Sequence, residues 1–397
     1  NLQGTIITAL GGNININPGT DMYGTYDKYK VAAVDGGDLT IDNDMDKFST
    51  VNTSDGYFYS RRFLGQRLDL TVDTGITVTS STDTAYATTY FNNQVVGLEM
   101  NSSVSAASAT DAQINLLTNS KVIADRTDSG NGAIGLYINF GKIDIAVGAE
   151  IEVEKVTGGG NTVNDKAVGV YAVNGSTVSN AGNIKVGGDL SIGILGMAYR
   201  EDSSNTPIVD EFGSLAAGQG KANITNSKNI TLDGTGTVGI YAYNNNSTGV
   251  KGDVLVTNTA TGVITVGDST VSNAAIGIYG DKATISNLGK VSVGDGGVAI
   301  YAKNGTEITN LGTLDLGADG VGVMLDGTSE LTAATVTLTS NNTGTLGKTG
   351  IFYKGTGAET KTVVTSVDAS ALEKGTAVYT ENMNIVSTGT LGVGKDG

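Results

Sequence analysis

Few side chains in this chain could do chemistry, and they are poorly grouped for it. Gly267-Asp268-Ser269 has the outline of a serine-nucleophile turn, but a triad needs a base such as histidine, and the 397 residues include no His and no Cys. Gly130-x-Gly132-x-x-Gly135 and Gly234-x-Gly236-x-x-Gly239 match a dinucleotide pattern, which needs a strand before it and a helix N-terminus after it. Both runs lead into β-type sequence and read as turns. Gly347-Lys348-Thr349 ends like a phosphate loop, yet Asn342 stands where the loop requires glycine. Paired carboxylates could cleave sugars. Asp189, Asp210, Glu211, Asp295 and Asp319 are candidates, but they form no cluster in the sequence. Asp42-Asn43-Asp44-Met45-Asp46 alternates oxygen ligands suited to calcium and lacks the glycine and glutamate that complete such a loop. Lys251-Gly252-Asp253 has the form of an integrin-type tripeptide, a pattern short enough to arise by chance. The chain is therefore read as a non-enzyme with no metal site and no cofactor.

Charge narrows the partners. The net charge is −16 and the isoelectric point is near 4.3, so phosphate backbones are repelled and nucleic acid is not expected. No apolar run approaches the length of a membrane span, and no basic-then-apolar leader opens the chain. Glycine is abundant at 58 residues while proline occurs twice, which excludes collagen and proline-rich linkers. Apolar content comes from Val, Ile, Leu and Ala, enough for a long thin core.

The elements that would hold any site are repeats. Ile276-Gly277-Ile278-Tyr279, Ala283-Thr284-Ile285-Ser286-Asn287 and Gly289-Lys290-Val291-Ser292-Val293-Gly294 are answered by Val298-Ala299-Ile300-Tyr301, Thr306-Glu307-Ile308-Thr309-Asn310 and Gly312-Thr313-Leu314-Asp315-Leu316-Gly317. The tyrosines are 22 residues apart. Three short alternating runs per repeat, bounded by Gly and Asn, predict an all-β fold: a right-handed parallel β-helix with coils of about 22 residues and loop insertions. The anchor slot is filled in turn by Glu99, Tyr137, Tyr171, Leu195, Tyr241, Tyr279, Tyr301, Met324, Phe352 and Tyr379. Longer gaps are a coil plus an insertion, or two coils with one anchor lost.

Strand parity predicts the faces. Val168, Val170 and Ala172 should face the core, with Gly169 and Tyr171 outward, a glycine beside each ring. Stacking of the tyrosine column between coils is favoured over an exposed aromatic docking face, because Leu195, Met324 and Phe352 substitute without a polar tip. Asn180, Asn226, Asn258, Asn287 and Asn310 end the second run at an inner corner, where Asn tolerates left-handed backbone and can hydrogen-bond along the stack. Residues 1–90 are either an N-terminal cap or irregular early coils. Residues 91–397 are β-helix. Gly394-Lys395-Asp396-Gly397 resembles the turn Gly294-Asp295-Gly296-Gly297 that leads into the next tyrosine strand, so further coils are expected beyond it.

Loops on a rigid scaffold carry recognition. The largest excursion, Met197 to Lys221, offers Tyr199, Arg200, Glu201, Asp202, Asp210, Glu211 and Phe212 as candidate binding residues. The aromatic-basic cluster from Tyr57 to Phe63 adds Tyr57, Tyr59, Arg61 and Arg62. Smaller excursions lie near Val153 to Lys166, Asn244 to Gly252 and Thr339 to Lys348.

The repeat style of residues 171–187 and 303–312 resembles the passenger domains of large type V autotransporter adhesins, in particular the giant fusobacterial outer-membrane adhesins. The likeness spans roughly residues 95–397 and is architectural. It implies a passenger at the bacterial cell surface, exported by and anchored to the outer membrane through a C-terminal β-barrel that this sequence lacks. It also implies adhesion, as a monomer, to a host-cell receptor or glycan, or to partner bacteria. None of the family's binding residues can be carried over to a position here. A β-helix polysaccharide-cleaving enzyme and a passive spacer segment are the alternatives.

Overall fold

The computed structural model describes residues 5–10, 14–16, 30–35, 37–41, 68–82, 96–101, 113–126, 132–154, 166–199, 220–246, 249–340, 348–357, 360–363, 365–370 and 374–394. Among them the regular elements are strands, apart from one short 3-10 turn at Lys251–Asp253. Three strands make a coil, and each pairs parallel with its counterpart one coil on. In the bare repeat, Ile276–Asp281 pairs with Val298–Lys303, Thr284–Asn287 with Glu307–Asn310, and Lys290–Val293 with Thr313–Leu316. The fold is a parallel β-helix.

The chain forms two compact units, residues 1–222 and 223–397. In the first, Val96–Asn101, Ile134–Asn139, Val168–Val173 and Ile192–Met197 ladder in order along one face. On its second face, Ile14–Ile16, Gly37–Ile41, Leu68–Val72, Gln113–Leu116, Lys142–Ile145 and Thr177–Asn180 do the same. Strands before residue 90 thus pair in coil fashion. In the second unit the first face runs Val238–Tyr243, Ile276–Asp281, Val298–Lys303, Val321–Asp326, Thr349–Lys354 and Thr376–Glu381.

Within each unit the anchor slot aligns as the repeats predict: Glu99, Tyr137, Tyr171 and Leu195 in one, and Tyr241, Tyr279, Tyr301, Met324, Phe352 and Tyr379 in the other. The 38-residue gap from Tyr241 to Tyr279 is a single coil carrying insertions, because the two residues are direct ladder partners. The core is a column of aliphatic side chains such as Ile278, Ile285, Val291, Ile300, Ile308 and Leu314, all fully buried. Each such burial contributes about 1.5–3 kcal/mol.

The first face departs from simple alternation. Its burial pattern puts the second, third and fifth residues inside and the first and fourth outside. Gly169 therefore faces the core and does not sit beside the tyrosine ring. A Cβ there would meet the Gly193 carbonyl oxygen at 2.5 Å and Ile184 Cγ2 at 2.6 Å. The ladder from Val168 to Val170 passes over this glycine. Two successive inward residues bend the strand, and the inner one must be small because the third-face side chains already fill the space. Ala299 holds this slot in one coil, between Val298 and Ile300.

The asparagine corner also has one exception. Asn180, Asn226, Asn258 and Asn287 are buried, as the pattern predicts. Asn226 Nδ2 donates to Asn258 Oδ1 at 2.8 Å, and Asn258 Nδ2 to Asn287 Oδ1 at 2.7 Å. Asn310 is exposed, because the register shifts after Ile285 and sets Asn310 opposite Ser286, to whose Oγ its Nδ2 donates. The next coil, aligned by Ile308 with Leu331, has Ala333 in the asparagine place and offers no partner.

Candidate functional site

The longest excursion described in the structure leaves the first-face corner after Tyr243. Fourteen residues separate Tyr241 from Leu255, where five separate the equivalent Tyr279 from Thr284. The excursion is fixed at both ends. Asn244 Oδ1 accepts the Asn246 amide at 3.1 Å and Asn244 Nδ2 donates to the Val250 carbonyl at 3.0 Å. Lys251 reaches Glu307 at 2.7 Å and Glu330 at 3.3 Å on later coils. Asp253 Oδ2 accepts the Val250 amide at 2.9 Å. Both charges of the Lys251-Gly252-Asp253 tripeptide are therefore engaged in holding this loop.

Beside the excursion lies an open groove of about 520 Å³, lined by Tyr243, Asn244, Asn245, Asn246, Asp281 and Lys282, with Asn304, Gly305 and Thr328 completing it. The corners of successive coils build it. Lys282 and Asn304 follow their strands in left-handed backbone, with φ of 54° and 53°. This turns the chain sharply and presents their side chains along the stack. Asn304 Nδ2 donates to both oxygens of Asp281, at 2.8 and 2.9 Å, and its backbone amide donates to Asp326 Oδ2 at 2.7 Å. Lys282 Nζ donates to the Asn246 carbonyl at 3.0 Å, joining the excursion to the next coil.

The tyrosine column borders the groove. Tyr241 stacks on Tyr279 with centroids 4.6 Å apart, Tyr279 meets Tyr301 edge-on at 5.5 Å, and Tyr243 stands edge-on to Tyr241 at 6.3 Å. The Tyr279 hydroxyl donates to Asp281 Oδ2 at 3.2 Å. Burial, then the Asp281 charge, pushes its pKa well above the usual phenol range. Burial followed by Asp326 and Asp281 does the same to Tyr301. Asp326 lies the other way. Burial alone would raise it, but hydrogen bonds from the Asn304 amide, Ser329 and Thr328 outweigh that and hold it below the ordinary carboxylate value.

Of the residues predicted from sequence, Tyr199 is placed and is 3% exposed. Its hydroxyl lies 2.8 Å from where a Gly220 Cβ would stand, so the ring closes the base of the Met197 to Lys221 excursion. Arg200, Glu201, Asp202, Asp210, Glu211 and Phe212 lie outside the described residues, as do Tyr57, Tyr59, Arg61, Arg62 and the Asp42 to Asp46 turn. The groove residues Tyr243, Asp281, Lys282, Asn304 and Thr328 are not marked by any motif. The signal for them is indirect: the insertion near Asn244, and the side chains one, two and three coils later at the same corner.

The motif residues have structural duties. Asp268 Oδ1 accepts the Asp295 amide at 2.8 Å and Ser269 Oγ accepts the Ala275 amide at 2.8 Å. Asp295 Oδ1 accepts the Ala318 amide at 2.7 Å. Gly135 and Gly239 sit within strands. Lys348 is buried, which lowers its pKa against the raising effect of Asp315 and Asp295. Among the described residues no group of three or more His, Cys, Asp or Glu is placed to hold a metal, and no helix is long and apolar enough to cross a membrane. No protein-family model, curated protein or solved structure matches the chain.

Proposed function

We propose that this chain is the passenger segment of a bacterial surface adhesin of the type V autotransporter kind. It binds receptors or glycans on host cells or partner bacteria by presenting loops from a rigid β-helix. The full-length protein is held at the outer membrane by a C-terminal β-barrel, and the passenger acts as a monomer. The mechanism is presentation, without turnover and without a cofactor.

The observation that carries this reading is the ladder from Tyr241 to Tyr279. A long excursion leaves the stack between these residues, yet they remain direct partners. The main-chain ladder is indifferent to what is inserted at a corner, so loops can vary while their frame stays fixed. A carboxylate pair placed for glycoside hydrolysis would have favoured the enzyme reading. Asp281 lines the groove and Asp326 lies behind Asn304, and both carboxylates are taken up accepting hydrogen bonds from Asn304.

The test uses beads coated with the chain, incubated with host epithelial cells and with bacterial cells, while reducing-end release from a panel of polysaccharides is measured in parallel. Specific cell capture without sugar release is the expected result. Sugar release would transfer the chain to the polysaccharide-cleaving class, and absence of both would leave it a spacer.

A further inference from the structure

The groove at the Asn244 corner has a composition that selects among ligand classes. One wall is aromatic: Tyr243 lines it, standing edge-on to Tyr241 at 86°. The rest is a close mixture of donors and acceptors. Lys282 Nζ makes one bond, to the Asn246 carbonyl, and an ammonium has three hydrogens to give. The Thr328 hydroxyl donates to Asp326 Oδ1 at 2.9 Å and keeps its own lone pairs for accepting. Asn245 and Asn246 line the same space. Gly305 adds bare backbone, for a Cβ there would meet nothing within 4 Å.

An aromatic ring in the same lining as donors and acceptors fits a pyranose, which has C–H faces and a rim of hydroxyls that both give and accept hydrogen bonds. Charge refines the choice. The Asp281 carboxylate lines the groove, and the Asp326 carboxylate lies directly behind Asn304 and Thr328. The one lysine in the lining sets a single positive charge against these two. A carboxylated or phosphorylated sugar would therefore meet a net negative surround, whereas an uncharged sugar needs only the hydrogen-bonding groups. A metal ion would need a cluster of acids that the described residues do not form.

We infer that the groove formed by Tyr243, Asn245, Asn246, Lys282, Gly305 and Thr328 is a binding site for a neutral oligosaccharide. The sugar lies on Tyr243 with its hydroxyls toward Lys282 and Thr328. This deepens the adhesion reading and rests on it, naming the ligand class at one site.

Saturation-transfer NMR of the whole chain with lactose, maltose, cellobiose and chitobiose, and with 3′-sialyllactose as the acidic counterpart of lactose, tests the assignment. Two variants accompany it. Lys282→Gly removes the amine at a left-handed position that glycine adopts freely. Tyr243→Leu keeps apolar bulk and removes the ring. Circular dichroism checks that each variant keeps the wild-type fold. The expected result is saturation transfer to at least one neutral disaccharide, weakened about tenfold or more in both variants, and little transfer to sialyllactose. A neutral sugar bound equally by wild type and both variants would overturn the assignment, as would transfer to sialyllactose alone or to no sugar. If cells are still captured in any of those cases, the groove assignment fails and the adhesion reading stands. If capture is also absent, both fail.

Discussion

Asn258 donates its side-chain amide to Asn287 at 2.7 Å, while the amide of Asn287 has no acceptor. The ladder that runs through Asn226 and Asn258 therefore ends one coil short of the sequence repeat. Asn258 is bonded on both sides and also reaches the Gly262 carbonyl at 3.3 Å. Asn287 only receives. Asn258→Ala should destabilise the chain by about 1–3 kcal/mol, since it removes the bonds to Asn226, Asn287 and the Gly262 carbonyl together and takes from the buried Asn287 oxygen its donor, while Asn226 keeps the Lys228 carbonyl. Asn287→Ala should cost markedly less, because it also removes an orphaned donor and leaves Asn258 bonded to Gly262. Urea midpoints of the two variants provide the check, and equal losses would contradict the ladder argument.

A second prediction concerns the inward glycine. A Cβ on Gly239 would meet Ile264 Cγ2 at 2.3 Å and the Gly277 carbonyl at 2.5 Å. Gly239→Val should therefore lower stability by about 1–3 kcal/mol through overpacking. Thr265→Val, on the half-buried outward side of the third face, should shift it by about 0.5 kcal/mol or less. Thermal unfolding followed by circular dichroism separates the two. If Gly239 faced outward, the variants would behave alike.

Much of this fold was legible in the repeats, and the misses have physical causes. Register was readable because the anchor slot recurs in coil after coil and is most often aromatic, so Tyr279 to Tyr301 and Phe352 to Tyr379 align without further information. The first face misled because period-two parity assumes a straight strand. The bend at glycine places two successive residues inside, which hydrophobicity cannot reveal when one of them has no side chain. Asn310 misled because its burial depends on a partner in the next coil, and Ala333 provides none. The groove was nearly invisible. Asp281, Lys282, Asn304 and Thr328 come from three coils and share a corner only after stacking. Each is an ordinary turn residue in the linear sequence. The excursion near Asn244 marked the place without marking the residues.

The charged ladder of the first unit predicts a pH window. Lys121 lies 2.7 Å from Glu150 and also pairs with Glu152, and Lys185 lies 2.7 Å from Glu150. Burial opposes the charged form of Glu150, but hydrogen bonds from Lys121 and Lys185 outweigh it and pull the carboxyl below its ordinary 4.5. Its contribution is present above that ordinary value and is lost as pH falls through the lower folded value. Burial likewise opposes the Lys121 charge, and Glu150 and Glu152 outweigh it, raising the amine above 10.5. That contribution is present below the ordinary value and is lost as pH rises through the higher folded one. Lys121→Met should therefore lower stability between about pH 5 and pH 10, with its difference from wild type shrinking at both extremes. Urea unfolding across pH measures this, and a difference independent of pH would contradict it.

Lys251 tethers the Asn244 excursion to Glu307 and Glu330. Lys251 and Glu330 are exposed and Glu307 partly so, with solvent reaching both pairs, so Lys251→Met should change global stability by no more than about 1 kcal/mol. The tether governs local opening instead. Amide hydrogen exchange in residues 249–253 should speed up while the strand Val254–Asn258 keeps its protection. Unchanged exchange in the excursion would show that Asn244 and Lys282 hold it without the lysine.

The central claim is that a uniform β-helix gives a fixed frame and that recognition resides in its excursions. Cell capture by the intact chain, compared with a chain in which residues 201–218 and 245–249 are each replaced by a short Gly-Ser link, tests this most directly. Tyr199, Gly220 and the ladders are retained in that variant. The expected result is an unchanged β-type circular dichroism spectrum with capture reduced about tenfold or more. Full capture by the shortened chain with the fold intact would contradict the account and place recognition on the coil faces themselves.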